Sequence, residues 1–131
     1  MKYLLDTHII LWALVNDARL SRKVKEIILD SGNSIYYSTI SPWEVEIKHL
    51  KDPNFRLSGE QLIFLCDQNG LLNLSVQNEH IRELKNLNQP QVQHKDLFDK
   101  ILLAQARQEG MILITHDSKF RQYSDHHLMI V

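Results

Sequence analysis

Residues 2–15 read KYLLDTHIILWALV, and this stretch sets the pattern that the rest of the chain repeats. Residues 2–5 form a short apolar run of the kind that makes a buried strand. Asp6 interrupts the run, Thr7 can cap a helix, and residues 8–15 are predicted to form that helix. The stretch therefore predicts a strand that passes directly into a helix, with an acidic side chain at the junction.

The same alternation continues to the end of the chain. Further strands are predicted at residues 34–38, 71–74, 111–115 and 127–131. Three helices are predicted to start after serine residues: one after Ser21, one after Ser41 as N-cap with Pro42 at N1, and one after Ser58. Further helices are predicted at residues 76–87, 96–109 and 118–123. Residues 88–95 are predicted to form a polar loop. Strands that are continuous apolar runs between helices indicate a parallel sheet covered on both faces. The expected fold is thus an α/β protein, and we expect residues 1–131 to form one domain.

Composition excludes several classes of protein. The chain has 131 residues, 44% of them hydrophobic, and a net charge of −1, so no global charge attracts nucleic acid. The single cysteine, Cys66, cannot form an internal disulfide and lies among apolar neighbours, which predicts a buried thiol. The polar residues Asp6 and His8 make the first apolar stretch unsuited to spanning a membrane or serving as a signal peptide. We therefore expect a cytoplasmic protein.

Four acidic residues stand where this fold would bring them together: Asp6, Glu44, Asp99 and Asp117. Each lies at or near the start of a predicted helix, and Asp6 and Asp117 follow apolar strands. Sites in open parallel sheets form beyond the carboxyl ends of the strands, near a topological switch point. Carboxylates about 5 Å apart repel by about 3 kcal/mol at an effective dielectric of about 20, so such a set favours a cation. Mg²⁺ or Mn²⁺, with their preference for oxygen ligands, suit it, and these metals commonly serve phosphoryl chemistry.

Each acid also has a purely structural interpretation. Glu44 fits the N3 position of a capping box with Ser41, or an ion pair with Lys48. Asp6 and Asp117 fit helix caps, and Asp99 fits a favourable position in the helix dipole. Asp96 is predicted to be the N-cap of the 96–109 helix, with an outer role at the site as the alternative.

The segments LLDTHIILWAL, SPWEVEIK, HKDLFDKILLAQA and LITHD together resemble the PIN domain, and in particular its VapC-type branch of bacterial toxins. The resemblance covers nearly the whole chain, and its most specific parts are the opening strand-Asp-Thr-His segment and the FDKILLAQA helix. The sequence departs from the pattern of this branch at Leu97, because proline often follows the aspartate that corresponds to Asp96.

The resemblance implies a three-layer α/β/α sandwich and a Mg²⁺- or Mn²⁺-dependent endoribonuclease. It implies that metal-activated water attacks an RNA phosphodiester in line, which leaves a 5′-phosphate and a 3′-hydroxyl. The implied partners are an RNA substrate, a cognate antitoxin and a second copy of the chain in a homodimer. The implied metal-binding and catalytic residues are Asp6, Glu44, Asp99 and Asp117, supported by Thr7 and Thr115; His8 and His94 match the branch without a clear role.

Other features favour simpler interpretations. Adjacent histidines His126 and His127 would point to opposite faces of a strand, which argues against a zinc site. Trp12 and Trp43 fit the core better than a base-stacking surface. Several basic residues flank the acids in sequence and could contact RNA phosphates, namely Lys95, Lys100, Lys119 and Arg121.

Two alternative functions remain open on the sequence. A receiver-like phospho-acceptor module also uses acids at strand ends with Mg²⁺, but residues 71–74 end without an aspartate to phosphorylate. A non-catalytic interaction module of the same fold is the second, and the retained acids argue against it.

Overall fold

The computed structural model describes residues 1–55, 57–87 and 96–131. The loop predicted at residues 88–95, with His94 and Lys95, lies outside the described residues. Five strands are formed: β1 (Lys2–Leu5), β2 (Ser34–Ser38), β3 (Leu72–Leu74), β4 (Ile112–Thr115) and β5 (Leu128–Ile130). The helices are α1 (Thr7–Leu14), α2 (Arg22–Leu29), α3 (Ile40–Lys51), α4 (Gly59–Gln68), α5 (Asn78–Glu83) and α6 (Leu97–Glu109), with short 3₁₀ helices at Leu84–Asn86 and Ser118–Gln122.

All five strands pair in parallel, in the order β3-β2-β1-β4-β5. The chain builds the sheet outward from β1 to β3, then crosses back through α5 and α6 to place β4 on the other side of β1. The direction of winding therefore reverses between β1 and β4. This is the topological switch point, where the carboxyl ends of the two strands open a crevice.

The sheet has a separate hydrophobic core on each face, which makes the molecule a three-layer α/β/α sandwich as predicted. Tyr3 and Leu5 face a core shared with α1, α2 and α4. Leu4, between them, faces the opposite core, which is shared with α6. This alternation is the period of two expected for a strand, and burial of both faces explains why residues 3–5 of β1 are a continuous apolar run.

Two helix starts differ from the predicted ones by a residue or two. Asp6, rather than Thr7, is the N-cap of α1, since its carboxylate accepts the N–H of Thr7. Helix α3 begins at Ile40, not after Ser41, because the hydroxyl of Ser38 at the end of β2 already accepts the Ile40 N–H. The prediction of Ser41 as N-cap is therefore wrong.

Several other predictions are confirmed. Ser58 and Gln61 form a reciprocal capping box at the start of α4, and Asp96 caps α6. The Cys66 thiol is fully buried, and this burial raises its pKa to about 12. Within the three described segments, no helix has the length and apolar character needed to cross a membrane.

Candidate active site

Asp6 lies at the centre of the switch-point crevice. It directly follows β1, the middle strand, and only 5% of its surface is exposed. One carboxylate oxygen accepts the Thr7 N–H at 2.5 Å, and the other accepts the hydroxyl of Thr115, at the end of β4, also at 2.5 Å. Asp6 thus connects the carboxyl ends of β1 and β4 across the switch point by hydrogen bonds.

Thr7 connects this centre to α3. Its hydroxyl donates to Oε1 of Glu44 at 2.9 Å and lies 2.8 Å from the hydroxyl of Ser41. The second carboxylate oxygen of Glu44 lies 3.6 Å from Nζ of Lys48, one helical turn later. The predicted Glu44–Lys48 pair is therefore present, and Glu44 is held at the crevice from both sides.

Asp117 approaches the site from the end of β4. Its backbone N–H donates to the Thr115 hydroxyl at 3.1 Å, so Thr115 connects it to Asp6. Its carboxylate accepts the N–H of Lys119 at 2.9 Å and caps the 3₁₀ helix that follows. The capping interpretation of Asp117 is thus correct, and Asp117 also lies beside Asp6, to which Thr115 links it.

Asp99 reaches the crevice from the first turn of α6. Asp96 accepts the N–H groups of Phe98 and Asp99 at 3.0 and 3.3 Å, which fixes the start of this helix. Asp99 itself is 8% exposed. An acid buried on a helix whose same face carries Leu102 and Leu103 is desolvated on one side by the core.

The electrostatics of Asp99 report that the acids converge. Its pKa is raised to about 8, first by burial and then by the negative charges of Asp6, Asp96, Asp117 and Glu44. Burial also raises the pKa of Asp6, against the lowering effect of its hydrogen bonds from Thr115 and Thr7. Residues separated by up to 111 positions in sequence therefore share one electrostatic field, and that field penalises their simultaneous ionisation.

The donor set fits a hard divalent cation. The side chains that meet here offer carboxylate oxygens, supported by hydroxyls, and these are the ligands that Mg²⁺ and Mn²⁺ prefer. A cation would also offset the negative charges that, after burial, raise the pKa of Asp99. The residues that would hold it are Asp6, Glu44, Asp99 and Asp117.

The ligand atoms of these acids are not as close together as those of a compact metal site. Among the described residues, the group whose three ligand atoms all lie within 4.8 Å of one another is Asp125, His126 and His127, away from these acids. A cation that keeps several water molecules and binds through one or two carboxylates, as Mg²⁺ does, suits the looser spacing of the acids.

Three predictions about surrounding residues are corrected or qualified. Trp12 is buried as expected, but Trp43 is 56% exposed and packs its ring 4.9 Å from that of Phe98. His126 and His127 do not point to opposite faces, because β5 begins only at Leu128; their ring centroids lie 4.0 Å apart. His8 is exposed beside Asp6, and its charge acts to lower the pKa of that carboxyl.

Two residues at the site were missed from the sequence. Ser41 bonds the Thr7 hydroxyl, and the signal was its three-residue spacing from Glu44, which puts both on one helical face. Tyr123 lies close enough to Asp99 that the negative charge of Asp99, after burial, raises the tyrosine pKa. Nothing local in the sequence indicates that contact.

Comparison with known proteins agrees with this architecture. The fold matches VapBC2 from Rickettsia felis, solved bound to a promoter DNA fragment, with a TM-score of 0.72, 18% identity, and 100% of this chain and 98% of that chain covered. It matches DNA-bound VapBC from Salmonella typhimurium (TM-score 0.70, 14% identity, coverage 99% and 98%) and VapBC-1 from nontypeable Haemophilus influenzae (0.70, 20%, 99% and 98%). No curated protein matches the chain. The model of the PIN domain matches residues 3–125, nearly the whole sequence, and the chain therefore belongs to the PIN domain family.

Proposed function

We propose that this protein is a Mg²⁺- or Mn²⁺-dependent endoribonuclease, and that it is the VapC-type toxin of a toxin–antitoxin pair. Asp6, Glu44, Asp99 and Asp117 are the proposed metal-binding and catalytic residues. Thr7, Thr115 and Asp96 are the proposed supporting residues. The products are expected to carry a 5′-phosphate and a 3′-hydroxyl.

One observation carries the proposal: Asp99 is buried at the switch point, and its pKa is raised to about 8 by that burial and then by the negative charges of acids from separate elements, Asp6, Asp96, Asp117 and Glu44. A fold that only needed stability would gain nothing from this repulsion. Perturbed carboxyls that gather in a crevice mark functional sites, and a divalent cation is the group that makes their ionisation favourable.

The residues of the chain divide the work between them. Asp6 and Glu44 are aimed by hydroxyl groups, so their oxygens are oriented before any ligand arrives. Asp99, whose pKa is raised by burial and by the neighbouring acids, would be the ligand whose ionisation a bound cation favours most. Lys119 and Arg121, both exposed on the 3₁₀ helix next to Asp117, are available for RNA phosphates. A bound Mg²⁺ or Mn²⁺ would supply an activated water and stabilise negative charge on the phosphate.

The test is cleavage of a labelled RNA pool by the purified protein with and without Mn²⁺. Asp6→Asn or Asp99→Asn should reduce cleavage at least about 100-fold while circular dichroism stays unchanged, because each removes a charged ligand without changing its size. Asp30→Asn, a surface change at the end of α2, is the matched control. Unchanged cleavage in both site variants would overturn the assignment.

Other outcomes separate the alternative functions. Labelling by acetyl phosphate, without RNA cleavage, would indicate the phospho-acceptor module instead. Failure of the wild type to bind Mn²⁺ or to cut any RNA would indicate a non-catalytic module.

An apolar groove supports the antitoxin partner. It is lined by Leu11, Leu14, Val15, Leu57 and Leu65, on the α1 and α4 side of the sheet. Val15 is 63% exposed there, and exposed apolar grooves commonly receive an amphipathic segment of a partner. The neighbouring folds are those of VapBC complexes.

Val15→Glu should therefore abolish co-purification with the protein encoded by the adjacent reading frame, because it places a charge in the groove. Ile81→Glu, at an apolar position 52% exposed on α5, should leave it intact. Loss in both variants, or in neither, would contradict a partner at this groove.

We further propose that residues 1–131 form one PIN domain that acts in the cytoplasm as a homodimer. Light scattering of the purified protein tests the dimer.

A further inference from the structure

A second cluster of ligand-type side chains lies at the other end of the sheet. Asp125, His126 and His127 immediately precede β5. Because β5 runs parallel to β1, its beginning lies at the amino edge, opposite the carboxyl edge that holds Asp6. This cluster is therefore separate from the acids of the proposed active site.

The three side chains are already close together. Their ligand atoms all lie within 4.8 Å of one another. Oδ1 of Asp125 lies 2.9 Å from Nδ1 of His127, and the two imidazole rings are 4.0 Å apart. Ligands at about 2.0–2.1 Å from a tetrahedral zinc ion are about 3.3 Å from each other, so only small side-chain rotations are needed.

Neighbouring residues hold Asp125 in place. Its side chain is 4% exposed; Oδ2 accepts from Arg107 at 2.7 Å, and Oδ1 accepts the His127 N–H at 2.9 Å. Arg107 is also bound by Glu83 at 3.0 Å. Two carboxylates thus surround one guanidinium, and the network carries one net negative charge. Such a support, which orients a ligand through a buried hydrogen-bond network, is typical of metal sites.

The entrance to the cluster is open to solvent. His126 is exposed and His127 is partly exposed, while the carboxylate lies beneath them. Because imidazole binds zinc, nickel and copper well and magnesium poorly, the ligand set selects a different class of ion from the four acids.

The geometry points to a transition-metal site at the amino edge of the sheet, with Oδ1 of Asp125 and one ring nitrogen each of His126 and His127 as ligands. Zinc is the expected ion, with water in the fourth position. Binding through Nδ1 of His127 would release to solvent the proton that this nitrogen shares with Oδ1 of Asp125. Binding also ties the start of β5 to α6 through Arg107.

The experiment is a calorimetric titration of the untagged full-length protein with Zn²⁺ in excess Mg²⁺, which keeps the acids occupied by the hard cation. His126→Ala and His127→Ala should each weaken Zn²⁺ binding by at least about tenfold. His49→Ala, a change at a partly buried histidine on α3, is the matched control and should not alter it. Co²⁺ gives a second measurement, since its visible absorption bands intensify in four-coordinate geometry and should weaken in the same variants.

The outcomes separate this site from the acids. Zn²⁺ binding should persist in the Asp6→Asn and Asp99→Asn variants, whatever their effect on RNA cleavage. The proposal is overturned if wild-type protein gives neither heat nor Co²⁺ bands. It is overturned equally if binding survives His126→Ala and His127→Ala, or if it disappears with Asp99→Asn. Because His126 is exposed, its variant should fold, and circular dichroism checks that it does.

Discussion

At the scale of single residues, hydroxyl groups decide where the carboxylates point. Thr115 and Thr7 each join a carboxylate to a different element, so Asp6 and Glu44 are oriented by side chains distant in sequence. Asp99 is held differently, by its place on a helix whose cap is Asp96. The energetic cost of this arrangement falls on Asp99, whose pKa rises to about 8.

The raised pKa of Asp99 predicts how stability depends on pH without metal. The folded protein keeps a proton that the unfolded chain, with an ordinary pKa of 3.8, releases. The stabilising effect of that proton is complete below pH 3.8 and is lost as pH rises through about 8. Asp99→Asn removes this loss, so in chelator the variant should be more stable than wild type by about 1–3 kcal/mol at pH 8, allowing for solvent screening.

Urea unfolding of both proteins at pH 4 and pH 8 measures the effect. The difference in unfolding free energy should be small at pH 4 and grow toward pH 8. A difference that is constant with pH, or that favours the wild type at pH 8, would show that Asp99 is not held in the protonated form.

At the scale of elements, the site depends on how closely helices pack behind it. Helix α3 carries Glu44 and Ser41 on the face toward the crevice, and α4 packs against its other side. The two backbones meet at Gly59, the first residue of α4, where an added Cβ would lie 2.7 Å from the carbonyl oxygen of Pro42. Only glycine permits this approach, and the position of Glu44 depends on it.

Gly59→Ala should therefore destabilise the protein by about 1–3 kcal/mol, the usual cost of overpacking, and should also lower RNA cleavage by moving α3. Thermal unfolding and cleavage assays on the same preparation test it. Gly32→Ala is the control, because its nearest neighbour is a side-chain oxygen of Asp30 at 3.2 Å in an exposed turn. Equal stability of the two variants would refute the role of this contact.

At the scale of the whole molecule, the strand order creates the site. Because β1 lies between β2 and β4, the carboxyl ends of the two central strands and the first turns of α3 and α6 share one crevice. Each of these elements contributes one acid, and none could hold a cation alone. The strand order therefore brings the acids together, and a metal ion bound between them should stabilise the folded state.

Mn²⁺ in about 100-fold excess over its dissociation constant should raise the melting temperature by about 5–10 °C. The rise should be larger at pH 7.5 than at pH 5, because the cation must displace the proton of Asp99. Differential scanning calorimetry measures it, with Asp6→Asn as the variant expected to lose the response. A flat titration in wild-type protein across millimolar Mn²⁺ would contradict a cation site among these acids.

The sequence by itself determined the local structure and the identity of the acids. Apolar runs marked the strands, capping residues such as Ser58 marked helix starts, and the position of Asp6 after β1 indicated a site. Boundaries shifted where a tertiary contact competed with a local cap, as at Ser41, whose hydroxyl bonds Thr7 instead of its own helix.

Only the tertiary structure decided what lies between the elements. Strand order, the exposure of Trp43 and the nearness of Tyr123 to Asp99 depend on long-range packing, which leaves no periodic trace in the chain. The pairing of His126 with His127 likewise follows from β5 starting one residue after them. Local sequence encodes the conformation of a segment, whereas the distance between segments is set by the cores that bury them. The acids therefore come close enough to shift one another's pKa only in the folded protein.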